Sequence, residues 1–283
     1  MSIKKIVFVT GTRADFGKIK PLINNLEKNE NFDVLIFSTG MHQLKKYDYT
    51  YKEIEKSGFK NIFNFINQNE NDTMDHVLAK TISGFSDYLI EVEPDMVVVH
   101  GDRIESLAAA VVGCLNNIFV SHIEGGEVSG TVDEMIRHSI TKLSHFHFVS
   151  NKQSKSRLIQ MGEMSDRIFE IGSPETDIIK SSDLPSINQV KKYYNINFNN
   201  YSVVIFHPVT TEYKDIDKQV DSLLDVIIND DNRNYVVIHP NNDHGSKKII
   251  IAYKRFENLD RFRVLTSMRF EYFLVLLKES EFL

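Results

Sequence analysis

The 283-residue chain has one cysteine, no excess of positive charge and no long hydrophobic run. A single cysteine cannot build a disulfide framework, and Cys114 lies in an apolar helical stretch where a buried, inert side chain is expected. No run reaches the ~20 apolar residues that a membrane span needs, so no membrane partner is expected. Met1-Ser2-Ile3-Lys4-Lys5 leads directly into strand-like Ile6-Val7-Phe8-Val9, too short for a secretory signal. The formal net charge of -6 leaves no dominant basic face, which argues against nucleic acid as a partner. GxGxxG, HExxH, paired CxxC and a Ser-His-Asp signature are also missing. These absences together point to the cytoplasm and away from dinucleotide or metalloprotease chemistry.

What is present is ordinary globular material: 42% hydrophobic and 25% charged residues, enough for a sizeable core. Short apolar runs recur at Ile6–Thr10, Asp33–Ser38, Met96–His100, Ile118–Ser121, His147–Ser150 and Ile168–Gly172. They return at Ser202–His207, Tyr235–His239 and Phe262–Leu265. Helical patterns alternate with them over Lys18–Glu27, Thr73–Glu91, Ile104–Leu115, Asp133–Leu143 and Val220–Ile228. Near-continuous Val/Ile strands belong to parallel sheets covered on both faces, so the class is α/β built from βαβ units. The polar stretch 173–200, broken by Pro174 and Pro185, divides the chain into domains at 1–172 and 173–283. The Asn-rich patch Asn67 to Asp72 reads as an exposed loop. The chain ends on Phe282-Leu283, and a second domain of about three strands would keep an uncovered edge. That domain is therefore expected to be incomplete.

The densest chemistry follows the fourth strand. His122-Ile123-Glu124-Gly125-Gly126-Glu127-Val128-Ser129-Gly130 reads as a loop with three ionisable groups and three glycines, placed where open α/β sheets bind ligands. The first strand runs into Gly11-Thr12-Arg13-Ala14-Asp15-Phe16-Gly17-Lys18, a turn whose N–H groups, Arg13 and Lys18 suit a diphosphate. It is not a P-loop, because five residues separate the glycines and Ile19 stands where Ser or Thr would hold magnesium. His100-Gly101-Asp102-Arg103 ends another strand, and Asp102 reads either as an N-cap for the next helix or as a catalytic group. Asp133 and Arg137 are spaced to pair on one helix face, with His138 beside them. His207-Pro208-Val209-Thr210-Thr211 and His239-Pro240-Asn241-Asn242-Asp243 follow later strands. Gly245-Ser246-Lys247 opens a helix and offers an anion site. His145 and His147 share a strand face, but no third zinc ligand has convincing spacing.

In this order, GTRADFGK, HGDR, HIEGGEVSGTVDE, IRHSITKLSH, HPVTT and HPNNDHGSK resemble the hydrolysing UDP-N-acetylglucosamine 2-epimerases of sialic-acid biosynthesis. The resemblance covers the bacterial enzymes and the epimerase half of the animal bifunctional epimerase/kinase. It implies a GT-B-like pair of Rossmann-type domains with a UDP-sugar in the cleft, the second domain here being incomplete. It implies a reaction without metal, NAD or other cofactor. UDP leaves C1 as the C2 proton is removed, and water adds to the 2-acetamidoglucal to give N-acetylmannosamine. By this resemblance Asp102, Glu124, Asp133 and His207 are catalytic. Arg13, Arg103 and Asn241 contact UDP, and Asp15, Lys18, Glu127 and Arg137 are further expected substrate contacts. A homo-oligomer, dimer or tetramer, is implied as well. The alternatives are an epimerase acting on UDP-N,N'-diacetylbacillosamine, a glycosyltransferase of the same architecture, or an inactive truncated remnant.

Overall fold

The computed structural model describes residues 3–69, 71–181, 184–241, 243–256 and 259–283. They form two compact units, Met1–Lys180 and Ser181–Leu283.

The first unit runs β1 (Lys4–Thr10), α1 (Arg13–Glu27), β2 (Phe32–Ser38), α2 (Tyr51–Lys56), β3 (Ile62–Asn64), α3 (Met74–Val92), β4 (Met96–His100) and α4 (Ile104–Leu115). It continues through β5 (Phe119–Ile123), α5 (Val132–Leu143), β6 (Phe146–Val149), α6 (Lys152–Gln160), β7 (Ile168–Glu170) and α7 (Pro174–Ile179). All seven strands are parallel in the order β3-β2-β1-β4-β5-β6-β7. Strand order reverses between β1 and β4, where Ile6 pairs with Val34 on one side and Met96 on the other. Ligand crevices of doubly wound sheets open at such a reversal, beyond the strand carboxyl ends.

Side-chain alternation splits the core into two layers. Ile6, Phe8, Val34, Ile36 and Val98 pack with Phe16, Ile19 and Ile23 of α1. Val7, Val9, Val97 and Val99 pack with Phe85 of α3, Ala109 of α4 and Ile136 of α5. Both faces are covered, which is why these strands read as unbroken apolar runs.

Several boundaries differ from the sequence reading. Helix α1 starts at Arg13 rather than Lys18, because Thr12 and Asp15 form a reciprocal capping box. Strand β5 extends to Ile123, so His122 is a strand residue and not part of the loop. Strand β3 was not foreseen; three residues carry too little periodicity. Asn67 is not exposed but fully buried, accepting from the Gly40 N–H at 3.0 Å and donating to Thr81 Oγ1 at 2.8 Å. Cys114 is partly exposed rather than buried.

The second unit contains α8 (Ile187–Tyr194), β8 (Ser202–Ile205), α9 (Ile216–Ile228), β9 (Tyr235–Ile238), α10 (Ser246–Ala252), β10 (Phe262–Leu265) and α11 (Phe270–Lys278). Its parallel sheet has the order β10-β9-β8. Val190 and Leu276 pack on one face with Val203 and Val236, while Val220, Leu224 and Ile249 pack on the other with Val204 and Val237. Beyond β8, the Val203 N–H donates to the Phe282 carbonyl and the Glu281 N–H to the Tyr201 carbonyl, both at 2.9 Å.

Candidate active site

The carboxyl ends of β1 and β2 are tied together by a buried polar network. Thr12 Oγ1 accepts the Asp15 N–H at 3.2 Å, while the Asp15 carboxylate accepts the N–H of Gly11 at 2.9 Å and of Thr12 at 3.0 Å. It also accepts the Thr10 hydroxyl. Asp15, an expected substrate contact, spends these bonds on shaping the turn. Beneath it, fully buried His42 bonds Thr10 Oγ1 at 3.1 Å and Thr50 Oγ1 at 2.7 Å. Burial lowers the His42 pKa to about 4, with Asp15 opposing and the positive charges of Arg13 and Arg103 reinforcing the shift. The two guanidinium groups therefore lie within electrostatic reach of one imidazole, at the ends of strands on either side of the reversal.

Lys18, on the second turn of α1, is shared between two carboxylates. Its Nζ lies 3.1 Å from Glu124 Oε2 and 2.7 Å from Glu175 Oε1 at the start of α7. Burial disfavours its charge, but Glu124 and Glu175 outweigh burial and raise its pKa. Lys18, an expected diphosphate contact, pairs with the first residue of the β5 loop and with α7.

Glu124 is the first residue after β5 and has φ +62°, a left-handed conformation uncommon for a residue with a Cβ. Three elements hold its carboxylate there. His100 Nε2 lies 2.9 Å from Oε2, Lys18 shares that oxygen, and Ser173 Oγ donates to Oε1 at 3.0 Å. Burial alone would raise the Glu124 pKa, yet His100 and Lys18 together hold it far below the usual carboxylate range. Backbone strain of this sort persists only where the surroundings over-determine it.

Asp102 behaves oppositely. It does not cap α4: Arg103 occupies that position, and Asp102 pairs with Arg137 of α5. Buried Arg137 also donates to the Glu127 carbonyl and to Ser129 Oγ, each at 3.2 Å. The expected helix-face pair of Arg137 with Asp133 is thus replaced by a bond to another loop, and Asp133 accepts from Thr131 Oγ1 at 2.9 Å. Burial raises the Asp102 pKa; Arg137 pulls it down, and Asp133 nearby pushes it up again. Two carboxyl groups at adjacent strand ends are therefore driven apart, a pattern typical of separate acid and base roles.

Glu127 is anchored on α6, with Oε1 accepting from Ser154 Oγ at 2.9 Å and Asn151 Nδ2 at 3.1 Å. His122, expected among the loop's ionisable groups, is fully buried, 2.8 Å from the Gly101 carbonyl and 3.1 Å from Thr141 Oγ1. Burial lowers its pKa to about 3, leaving a neutral ring that ties β5 to the β4 loop. The sequence reading also did not single out His100, Ser173 or Glu175. His100 was legible as the residue ending an apolar strand before Gly-Asp-Arg; Ser173 and Glu175 carry no local signal, since their partners, Glu124 and Lys18, are far away in the chain.

His145 and His147 bond apart, to the Val120 N–H at 3.1 Å and to Glu163 Oε2 at 3.2 Å. Among the described residues no cluster of three His, Cys, Asp or Glu side chains could hold a metal. In the second unit, His207 lies on the loop after β8, its pKa lowered by desolvation with Asp243 opposing, and Asn241 is partly buried after β9. Asn242 lies outside the described residues.

Two parallel-sheet units, the first with cations and carboxylates gathered at a strand-order reversal, define a GT-B-like α/β protein. Methanocaldococcus jannaschii UDP-GlcNAc 2-epimerase, solved in complex with UDP-GlcNAc and UDP, shares that fold with a TM-score of 0.78 at 22% identity, covering 98% of this chain and 77% of that one. Residues 24–283 match the family model described as UDP-N-acetylglucosamine 2-epimerase. The UDP-N-acetylglucosamine 2-epimerase of Neisseria meningitidis serogroup B is 46% identical, over 99% of this chain and 74% of that protein. A hydrolysing UDP-N,N'-diacetylbacillosamine 2-epimerase of Legionella pneumophila is 39% identical, over 87% and 66%. The chain belongs to the UDP-N-acetylglucosamine 2-epimerase family.

Proposed function

We propose that the protein is a hydrolysing UDP-N-acetylglucosamine 2-epimerase that releases UDP and N-acetylmannosamine for sialic-acid type sugar synthesis. The observation that carries the reading is the opposed titration of Asp102 and Glu124 at neighbouring strand ends. In the first step the C2 proton passes to a carboxylate while the C1–O bond to UDP breaks, leaving 2-acetamidoglucal. In the second, water supplies hydroxyl to C1 and a proton returns to C2 from the opposite face. Asp102, whose pKa burial and Asp133 raise against the pull of Arg137, is the proposed group for proton transfer at C2. Glu124, kept ionised by Lys18 and His100, is suited to face the positive charge that develops at C1. Asp133 and His207 are the remaining proposed catalytic groups. Arg13, Arg103 and Asn241 are the proposed UDP contacts, with Arg137 fixing Asp102. A homo-oligomer is part of the proposal, supported by exposed Ile90, Leu115 and Met135 on α3, α4 and α5.

The test is proton NMR of the protein with UDP-N-acetylglucosamine in deuterated water. Free N-acetylmannosamine deuterated at C2, together with UDP, is the expected result. Turnover of the diacetylbacillosamine nucleotide alone would transfer the same mechanism to that substrate, in line with the Legionella relative. Sugar transfer without inversion at C2 would refute the epimerase reading.

A further inference from the structure

The turn between β7 and α7 carries two side chains whose placement local structure does not explain. Ser173 is the N-cap residue of α7, extended at φ -80° and ψ 131°, yet its side chain makes no capping hydrogen bond. A serine hydroxyl at an N-cap ordinarily accepts an N–H of the first helical turn, which stabilises the helix by about 1 kcal/mol. Here the hydroxyl donates instead to Glu124 Oε1, at 3.0 Å. Glu175, two residues on, lies in the first turn of α7 and meets Lys18 Nζ at 2.7 Å. Its side chain is 36% exposed, and an ion pair that open to water adds little to stability. The same ammonium lies 3.1 Å from Glu124 Oε2. One carboxylate is thus reached from two sides, by Ser173 directly on Oε1 and by Glu175 through Lys18 on Oε2. Buried Pro174 stands between the two residues at the first helical position. Its ring fixes its own φ and confines Ser173 to extended backbone, which sets the two side chains at a constant offset.

We propose that Ser173 and Glu175 are positioning residues: the Ser-Pro-Glu turn grips both oxygens of the Glu124 carboxylate and holds it in the orientation that its role at C1 requires. The proposal rests on the reading of Glu124 as a catalytic carboxylate. Glu124 needs such support, because its left-handed backbone, at φ +62°, is stable only where neighbours enforce it. A carboxylate not held in this way turns about its own torsions, and a displacement of about 1 Å is enough to lose much of a catalytic group's effect. Lys18 then serves the carboxylate rather than the diphosphate, with Glu175 keeping the ammonium on the Oε2 side. The consequence is a division of labour: the turn governs the chemical step and leaves nucleotide binding alone.

Steady-state kinetics with UDP-N-acetylglucosamine and titration calorimetry with UDP, both on the full chain, test the assignment. Ser173→Ala is expected to lower kcat about tenfold while KM and UDP affinity stay within about twofold of the parent. Ser173→Thr, which keeps the hydroxyl, is expected to hold kcat within about threefold. Glu175→Gln, which keeps the length and removes the charge, is expected to lower kcat about threefold, again at unchanged UDP affinity. Its site is partly exposed, so it keeps the test decisive if Ser173→Ala does not fold. An unchanged kcat in either variant would overturn the proposal, as would UDP affinity falling in step with kcat. Tighter UDP binding by Glu175→Gln would overturn it too, since Lys18 would then serve the diphosphate. A parent that turns over no UDP-sugar refutes the epimerase reading, and the positioning claim is then decided by the crystal structure of the Ser173→Ala/Glu175→Gln double variant. A Glu124 carboxylate turned out of reach of His100 is expected there; one still bonded to His100 sinks the claim.

Discussion

His42 and His122 show how single side chains under the candidate site set the acid limit of the fold. Both are fully buried and bonded through ring nitrogens, with pKa values lowered from 6.5 to about 4 and about 3. Below pH 6.5 the unfolded chain takes up protons at these positions and the folded chain does not. Stability is therefore complete above pH 6.5 and falls as pH drops toward 4, by about 3 kcal/mol per pH unit where both imidazoles contribute fully. Urea midpoints measured from pH 7 to pH 4.5 should decline accordingly, and a flat profile would contradict neutral buried rings. The sequence reading counted His122 among the ionisable groups of the loop after β5 and did not single out His42, because local sequence cannot tell a buried tie from a catalytic group. Asp102, Glu124 and Asp133 were legible as candidates because they end strands or begin helices in local motifs. Their partners were not, because Arg137 with Asp102, Lys18 with Glu124 and Ser173 with Glu124 are pairs closed only by the sheet.

At the scale of elements, the loop between β5 and α5 depends on backbone space at Gly126. Its φ is +81°, and a methyl group there would meet the Ser154 carbonyl of α6 at 2.7 Å and Leu158 Cγ at 3.2 Å. Gly126→Ala should therefore destabilise the protein by about 2–3 kcal/mol, combining left-handed strain with overlap. Gly130 has φ +69° but nothing within 4 Å of an added methyl, so Gly130→Ala should cost about 1 kcal/mol or less. Thermal melts of the two variants give the comparison; equal shifts would remove the role assigned to the α6 contact. Element type was readable from the sequence wherever burial on both faces wrote an apolar run, as at Met96–His100 and Tyr235–Ile238. It was less readable where a helix start depended on capping, as at Thr12, or where a strand was too short for a pattern, as at Ile62–Asn64.

For the whole molecule, the division after Lys180 has an energetic side. The first unit holds two core layers of its own, on either face of a seven-stranded sheet, and has the size of an ordinary independent domain. Residues 1–180 expressed alone should fold and unfold cooperatively, with circular dichroism showing one sharp thermal transition. A broad, non-cooperative melt would mean that the core layers do not suffice. The sequence reading placed the boundary at 172, before Pro174; in the structure α7 stays with the first unit, where Ser173 and Glu175 reach Glu124 and Lys18.

The short outer strands bear on how the protein behaves in concentrated solution. Strands β3 and β7, at the two margins of the larger sheet, are three residues each. A margin that short provides only about one or two ladder bonds to an incoming chain, too few to seed stacking of one molecule upon another. Colloidal stability of the first unit is thus built into its topology. Fibrous aggregation in a heated or overconcentrated sample should start from chains whose sheet has already come apart.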